Sequence, residues 1–93
     1  MGAFVNPVPA HASTHCAASK FSTWVQASCW RDTAMDRRAY FRVKGTCKNG
    51  QSPYQTVTVY GSWVYTATDV RYSTADCPYY YSATFADFEL DWV

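Results

Sequence analysis

The sequence predicts a small all-β domain, an antiparallel β-sandwich or partly open barrel of about five strands with two disulfides. Apolar residues recur at every second position in several segments, which is the spacing of half-buried strands. Glycine, proline and asparagine punctuate these segments at short intervals, as turns do. Four cysteines in a chain of 93 residues are typical of a small domain stapled by disulfides.

The cysteines compensate for a core that is small for independent stability. A domain of this size buries only about 60–65% of the surface that its unfolded chain exposes. The gaps of 13, 18 and 30 residues between successive cysteines are too wide for the ligand pairs of a zinc site. Of the three possible pairings we expect Cys29–Cys47, because both cysteines fall on apolar strand faces, and hence Cys16–Cys77.

The first predicted strands lie in the N-terminal two thirds of the chain. Phe21–Trp30 has an apolar face that ends at Cys29, and Arg38–Cys47 alternates apolar odd positions with polar even ones. Tyr54–Thr66 continues the alternation, with Val64 as the exception; its apolar face comprises Val57, Val59, Gly61, Trp63 and Tyr65. Because Asn-Gly at positions 49–50 favours the positive φ of a reversal, the last two segments should form a hairpin.

The C-terminal strand is the clearest one. Ala83–Val93 places apolar residues on one face and three carboxylates, Asp87, Glu89 and Asp91, on the other. We expect it to pair with the strand that carries Arg38, Arg42 and Lys44, because opposite charges across a strand pair are stabilising. A shorter strand at Val70–Ala75 precedes a turn at Cys77-Pro78.

Residues 13–93 show no linker or repeat, which predicts one domain. The preceding residues 1–12 are expected to be an extended arm or the remnant of an export signal, because Pro7 and Pro9 favour an extended path and Ala10-His11-Ala12 has the A-x-A form of a signal-peptidase site. As an arm, this segment could dock on a partner protein through Phe4, Val5, Pro7 and Pro9.

Composition excludes several partners and activities. The net charge is +1 and charged residues make up 16% of the chain, so neither nucleic acid nor an anionic membrane is an expected partner. His11 and His15 would share one face of a helix, but their surroundings are not helical, and no metal or other cofactor is expected. No nucleophile motif or opposed acid and base pair is evident, so we expect no enzymatic activity.

Aromatic residues make up 18% of the chain and are the main candidates for binding. Exposed aromatic rings on a rigid sheet anchor protein interfaces and also stack on sugars. The alternative is that they form ordinary cross-strand pairs or a second small core. The clearest aromatic residues on strand faces opposite the predicted core are Trp24, Trp30, Tyr40 and Tyr60. The turn at Tyr79-Tyr80-Tyr81 is the leading contact surface, and the candidate binding residues are Trp24, Trp30, Tyr60, Tyr79, Tyr80 and Tyr81.

Three segments resemble a pattern common in small secreted proteins of actinobacteria: Arg38–Cys47, Val59–Val64 and Ser73–Pro78. The pattern is a basic strand ending in Cys, a Tyr-Gly-x-Trp-Val strand, and Ser-x-Ala-x-Cys. Within that group the chain is similar to the small β-rich adaptor subunit of umbrella-shaped antibacterial toxin particles, which links a lectin subunit to a large toxin chain. The resemblance covers under a third of the chain and implies export and docking on other proteins.

The expected function is therefore that of a secreted, extracellular, non-catalytic protein-binding module, such as an adaptor subunit of a secreted complex. One alternative is a carbohydrate-binding domain that uses the exposed aromatic rings. Another is an inhibitor of a secreted enzyme, with the loop Lys48–Pro53 as its contact.

Overall fold

The computed structural model describes residues 14–51 and 53–93. The predicted arm, including Phe4, Val5, Pro7 and Pro9, lies outside the described residues. Within them no helix is long and apolar enough to cross a membrane. The all-β prediction is confirmed, with seven strands over the described ranges: β1 (Thr14–Lys20), β2 (Trp24–Arg31), β3 (Ala39–Asn49), β4 (Thr56–Tyr60), β5 (Val64–Tyr65), β6 (Arg71–Asp76) and β7 (Tyr81–Trp92).

The strands form two antiparallel sheets. β2 is the middle strand of the first sheet, between β1 and β6. β3 is the centre of the second sheet, with β7 along one side and β4 and β5 in succession along the other. The predicted pairing of the basic strand with the acidic strand is confirmed, because Arg42 lies opposite Glu89 and Lys44 lies opposite Asp87.

The core lies between the two sheets, where the alternating residues of β2 and β3 meet. Phe41 is the largest fully buried side chain, and the apolar face of β7 packs against the same cluster. Gly45 makes room for this packing, because a Cβ there would lie 2.6 Å from a Val25 methyl group. The central residues of the core are Val25, Ala27, Cys29, Phe41, Val43 and Ala83.

A β-bulge lies near the start of β7. Thr46 lies opposite Phe85, whereas the next residue, Cys47, lies opposite Ala83, so Thr84 is the additional residue. Its hydroxyl donates to the Thr46 carbonyl at 3.2 Å. The bulge keeps Ala83 buried and leaves Phe85 exposed, because one extra residue reverses which face each following side chain occupies.

The predicted strand Tyr54–Thr66 is interrupted. β4 ends at Tyr60 and β5 begins at Val64, and we call the intervening residues 61–63 the gap loop. The interruption shifts the alternation by one residue, so that Val64 faces inward opposite Phe41. The prediction that Trp63 belongs to the apolar inner face is therefore wrong, since 43% of Trp63 is exposed.

The predicted disulfide pairing is also wrong. The bonds among the described residues are Cys16–Cys29 and Cys47–Cys77. Cys16 and Cys29 lie directly opposite each other on β1 and β2, and so they bridge within one sheet. Cys47, near the end of β3, instead reaches across the sandwich to Cys77, just after β6. Strand patterning indicates only which cysteines face inward, so it could not choose among the three possible partners of Cys47.

The hairpin that joins β3 to β4 is confirmed, but its turn differs from the prediction. No described glycine has a positive φ, and the amide of Asn49 donates to the carbonyl of Gln55 at 2.8 Å. The reversal therefore uses a longer loop that contains Pro53. A loop of this length does not require the left-handed residues of a two-residue turn.

Candidate binding surfaces

The first candidate surface is the tyrosine turn, residues 77–82. The Tyr81 amide donates to the Pro78 carbonyl at 2.9 Å, which closes a β-turn with Tyr79 and Tyr80 at its central positions. The backbone φ of Tyr80 is 69°, a value for which this turn position normally selects glycine or asparagine. Tyr79 and Tyr80 are 83% and 70% exposed, and their ring centroids are 4.1 Å apart.

The tyrosine turn is attached to the rest of the fold on both sides. Cys77 is bonded to Cys47 in the opposite sheet, and its amide donates to the Thr23 carbonyl at 2.8 Å. Beyond the turn, the Ala83 amide donates to the Ser22 carbonyl at 3.0 Å. Because an unfavourable backbone conformation persists only where its surroundings impose it, these attachments explain how a tyrosine is held at a positive φ.

A shallow depression of about 560 Å³ lies beside the exposed rings. It is wide enough to receive a protruding side chain of another molecule. Its lining combines apolar rings, hydroxyl groups and one carboxylate: Thr23, Asp76, Cys77, Pro78, Tyr79, Tyr80, Tyr81 and Ser82.

The second candidate surface is on the outer face of the β3-centred sheet, and we call it the arginine face. At its centre the Arg42 guanidinium carbon lies 4.1 Å from the ring centroid of Tyr60 and 4.5 Å from that of Trp63. The Nε–H of Arg42 donates to a carboxylate oxygen of Glu89 at 2.8 Å. The arginine face comprises Tyr40, Arg42, Tyr60, Trp63, Glu89 and Asp91.

The gap loop places Trp63 on this face, and a buried serine holds the gap loop. The Val43 amide donates to the Ser73 hydroxyl at 3.2 Å, and that hydroxyl donates to the Ser62 carbonyl at 2.8 Å. The Gly61 amide donates to the Val43 carbonyl at 3.0 Å. A Cβ on Gly61 would lie 2.7 Å from the Thr74 carbonyl oxygen, so only glycine permits the close passage of this loop over β6.

A groove of about 250 Å³ opens at the end of the arginine face, and we call it the Trp63 groove. It is lined by Tyr40, Trp63 and Asp91. Tyr40 is braced from the side by Tyr65, whose ring centroid is 4.9 Å away. Tyr40 and Asp91 are direct partners in the β3–β7 register. The groove therefore consists of two aromatic rings and one carboxylate.

The remaining aromatic candidates, Trp24, Trp30 and Tyr81, are half-buried, and the two tryptophans have ring partners of their own. Trp24 stacks on Phe21 at 4.1 Å, and Trp30 stacks on His15 at 5.1 Å. Tyr81 begins β7, and its hydroxyl lies 3.3 Å from the side-chain oxygen of Gln55. Trp24 and Trp30 share a face of β2 but lie six residues apart, roughly 20 Å along the strand.

The candidate aromatic residues thus do not form a single site. Tyr79, Tyr80 and Tyr81 lie together on the tyrosine turn, whereas Tyr60 belongs to the arginine face. The candidate set includes none of the three residues that line the Trp63 groove, although the sequence places Tyr40 on an outer strand face. For Trp63 the one signal in the sequence was Val64, where the alternation of the predicted strand failed.

The charged groups of the described residues provide little further chemistry. No group of three or more histidine, cysteine, aspartate or glutamate side chains within that part of the chain could hold a metal ion. His15 lies 3.0 Å from a carboxylate oxygen of Asp32 on the surface. The hydrogen bond from Arg71 lowers the pKa of the exposed Asp69 carboxyl from its ordinary value of 3.8.

Two disulfides are typical of extracellular proteins. Comparisons of the chain with protein-family models, with curated proteins and with solved structures find no match.

Proposed function

We propose that this protein is a secreted, non-catalytic protein-binding module, an adaptor subunit of a secreted complex that contacts its partner through the tyrosine turn. The observation that carries the proposal is the combination of high exposure and backbone strain at Tyr79 and Tyr80. A turn with only a connecting role would be more stable with glycine or asparagine at position 80.

The attached turn favours binding because it fixes the backbone that carries both rings before a partner arrives. Ordering flexible side chains on association costs roughly 0.5–1.5 kcal/mol for each side chain. The disulfide to Cys47 and the hydrogen bonds to Ser22 and Thr23 reduce the freedom of the turn in advance. Tyrosine is also among the residues that contribute most of the free energy at protein interfaces.

The depression beside the rings supports a protein partner. Its lining offers hydroxyl groups and the Asp76 carboxylate next to apolar rings, which matches the mixed character of a protein interface. The disulfides support secretion, since such bonds persist in oxidising compartments. The resemblance to adaptor subunits of secreted particles agrees with both points.

The experiment is a capture assay with the oxidised protein in the secreted fraction of its source organism. The wild-type protein is compared with a Tyr79→Ser/Tyr80→Ser variant and with a Tyr54→Ser/Tyr72→Ser control. The control removes two tyrosines that are also exposed but lie outside the turn. We expect one protein to co-elute stoichiometrically with the wild type and the control, and to be lost with the variant.

A partner retained equally by all three proteins would contradict the role of the tyrosine turn. If no protein co-elutes with the wild type, the adaptor function is wrong. Tryptophan fluorescence during titration with cell-wall glycans then tests the alternative of a carbohydrate-binding domain, since Trp24 follows Thr23 in the chain and Thr23 lines the depression.

A further inference from the structure

We propose that the Trp63 groove, formed by Tyr40, Trp63 and Asp91, is a binding site for a quaternary ammonium group such as the trimethylammonium head of choline. The site is separate from the tyrosine turn and does not depend on the function proposed for it. Three properties of the groove lead to this ligand: its aromatic walls, its uncompensated carboxylate and its shortage of hydrogen-bond acceptors.

The aromatic walls favour a cation. The face of an aromatic ring carries partial negative charge, and a cation within about 6 Å of the ring centroid is attracted to it. The arginine face already holds one cation in this way, since the Arg42 guanidinium lies within 4.5 Å of the Tyr60 and Trp63 centroids. Trp63 and Tyr40 remain 43% and 44% exposed, so both rings can contact a ligand in the groove.

The carboxylate of Asp91 adds a negative charge that the protein does not neutralise. Within the described residues, no ion pair or hydrogen bond joins this carboxylate to another side chain. Its partner across the β3–β7 pair is Tyr40, not a basic residue. Glu89, two residues earlier, is instead paired with Arg42. The Asp91 carboxylate is therefore available to pair with a cation bound in the groove.

Arg42 and Arg38 each lie two residues from Tyr40, the partner of Asp91, and could compete for its carboxylate. Arg42 is already paired with Glu89, which leaves Arg38. Its guanidinium is directed at Tyr65, with an N–H donated to the Tyr65 hydroxyl at 3.4 Å and the ring centroid 5.8 Å away. Arg38 thus contacts the ring that braces Tyr40 and leaves the Asp91 carboxylate without an ion pair.

The shortage of acceptors distinguishes a quaternary ammonium from a primary one. A primary ammonium has three N–H donors and loses free energy when they are buried without acceptors. The groove offers the Asp91 carboxylate and the Tyr40 hydroxyl as side-chain acceptors. A trimethylammonium has no N–H donor, and its charge is spread over methyl groups that pack on aromatic rings. The volume of about 250 Å³ is below that of sites for drug-sized ligands and suits one head group.

The test is a titration of the ¹⁵N-labelled, oxidised protein with choline, followed through the indole N–H of Trp63 by NMR. We expect a saturable shift of this resonance with a Kd on the order of 10 mM, because exposed cation–π contacts are individually weak. The neutral isostere 3,3-dimethylbutan-1-ol should bind at least tenfold more weakly. Nα-acetyl-lysine, with its primary ammonium, should also bind at least tenfold more weakly.

Two matched variants locate the site. Asp91→Asn removes the charge without changing the shape of an exposed side chain, and it should weaken choline binding about tenfold. Asp87→Asn removes a carboxylate from the same face of β7 and should leave binding unchanged. Absence of a saturable shift in the wild type, or equal loss in both variants, would overturn the proposal. Lysine binding as tight as choline would overturn the assignment to a quaternary ammonium.

Discussion

The two ends of β7 present aromatic rings to solvent by different means. At the first end, the rings of the tyrosine turn are positioned by the backbone, through a disulfide and a positive φ at Tyr80. At the second end, roughly 33 Å away along the strand from Tyr81 to Asp91, the rings are positioned by side chains. There Arg42 stacks on two rings and is held by Glu89.

This contrast separates what each end depends on. The tyrosine turn needs its covalent attachment, because its rings have few contacts and are among the most exposed apolar groups of the domain. The arginine face needs the gap loop, because that loop delivers Trp63. Damage to one attachment should therefore leave the other end intact.

The largest effect is expected when the disulfide between the sheets is removed. A Cys47→Ala/Cys77→Ala variant should lose about 3–4 kcal/mol of stability and should no longer bind the partner of the tyrosine turn. Choline binding should persist at a temperature where the variant is folded. Urea denaturation and the two binding assays measure these outcomes.

The matched control is Cys16→Ala/Cys29→Ala, which should lose about 3 kcal/mol yet keep both binding activities. If this variant lost partner binding to the same extent, the tyrosine turn would depend on overall stability and not on its own attachment.

The next effect concerns the serine that holds the gap loop. Ser73→Ala should lower stability by about 1–3 kcal/mol, because the buried Val43 amide loses its acceptor and the Ser62 carbonyl loses its donor. It should weaken choline binding, because the gap loop positions Trp63. It should leave partner binding unchanged, because the gap loop contributes no residue to the tyrosine turn. Thr74→Ala, at an exposed position on the same strand, should stay within about 0.5 kcal/mol of the wild type. Loss of partner binding in Ser73→Ala would contradict the independence of the two ends.

A smaller effect, with opposite signs for two neighbours, is expected within the tyrosine turn. Tyr80→Gly should raise stability by about 1 kcal/mol, because glycine adopts a positive φ without steric cost. Tyr79→Gly should lower stability by about 0.5–1 kcal/mol, because it only adds freedom to the unfolded chain. Thermal melts compare the two variants. Equal destabilisation by both would show that the backbone of Tyr80 is not strained.

The smallest effect is expected at the exposed ion pair of Asp69 and Arg71. This ion pair serves as a reference for the ion pair of Arg42 and Glu89, in which the arginine also contacts two aromatic rings. Arg71 lowers the pKa of Asp69, so the charged carboxylate is favoured in the folded state. The stabilisation is then present above the ordinary pKa of 3.8 and is lost as the pH falls through the lowered value.

Arg71→Gln should return the pKa of Asp69 toward its ordinary value in an NMR titration. The melting temperature at neutral pH should not change measurably, because exposed ion pairs contribute little. A large decrease in melting temperature would show that the surface pairs of this domain are stronger than their exposure implies.

Much of the second sheet followed from local patterns. The alternation in Arg38–Cys47 and Ala83–Val93 predicted two strands with one buried face each, and their charges predicted that they are neighbours. Both expectations hold, with Arg42 opposite Glu89. The turn at Pro78 was equally local, since proline removes a donor from the ladder and restricts the residue before it.

The Trp63 groove and the disulfide pairing could not be obtained from local patterns. Trp63 faces outward because the gap loop breaks the strand, and the break depends on Ser73, which comes from the other sheet. Cys47 pairs with Cys77 and not Cys29 because β1 lies beside β2 and occupies Cys29 with Cys16. Tyr80 has a positive φ because the disulfide and the 21–24 connection hold the turn on both sides. Alternation along a strand records only which side chains face inward, whereas the identity of the residues that meet there depends on contacts between segments far apart in the chain.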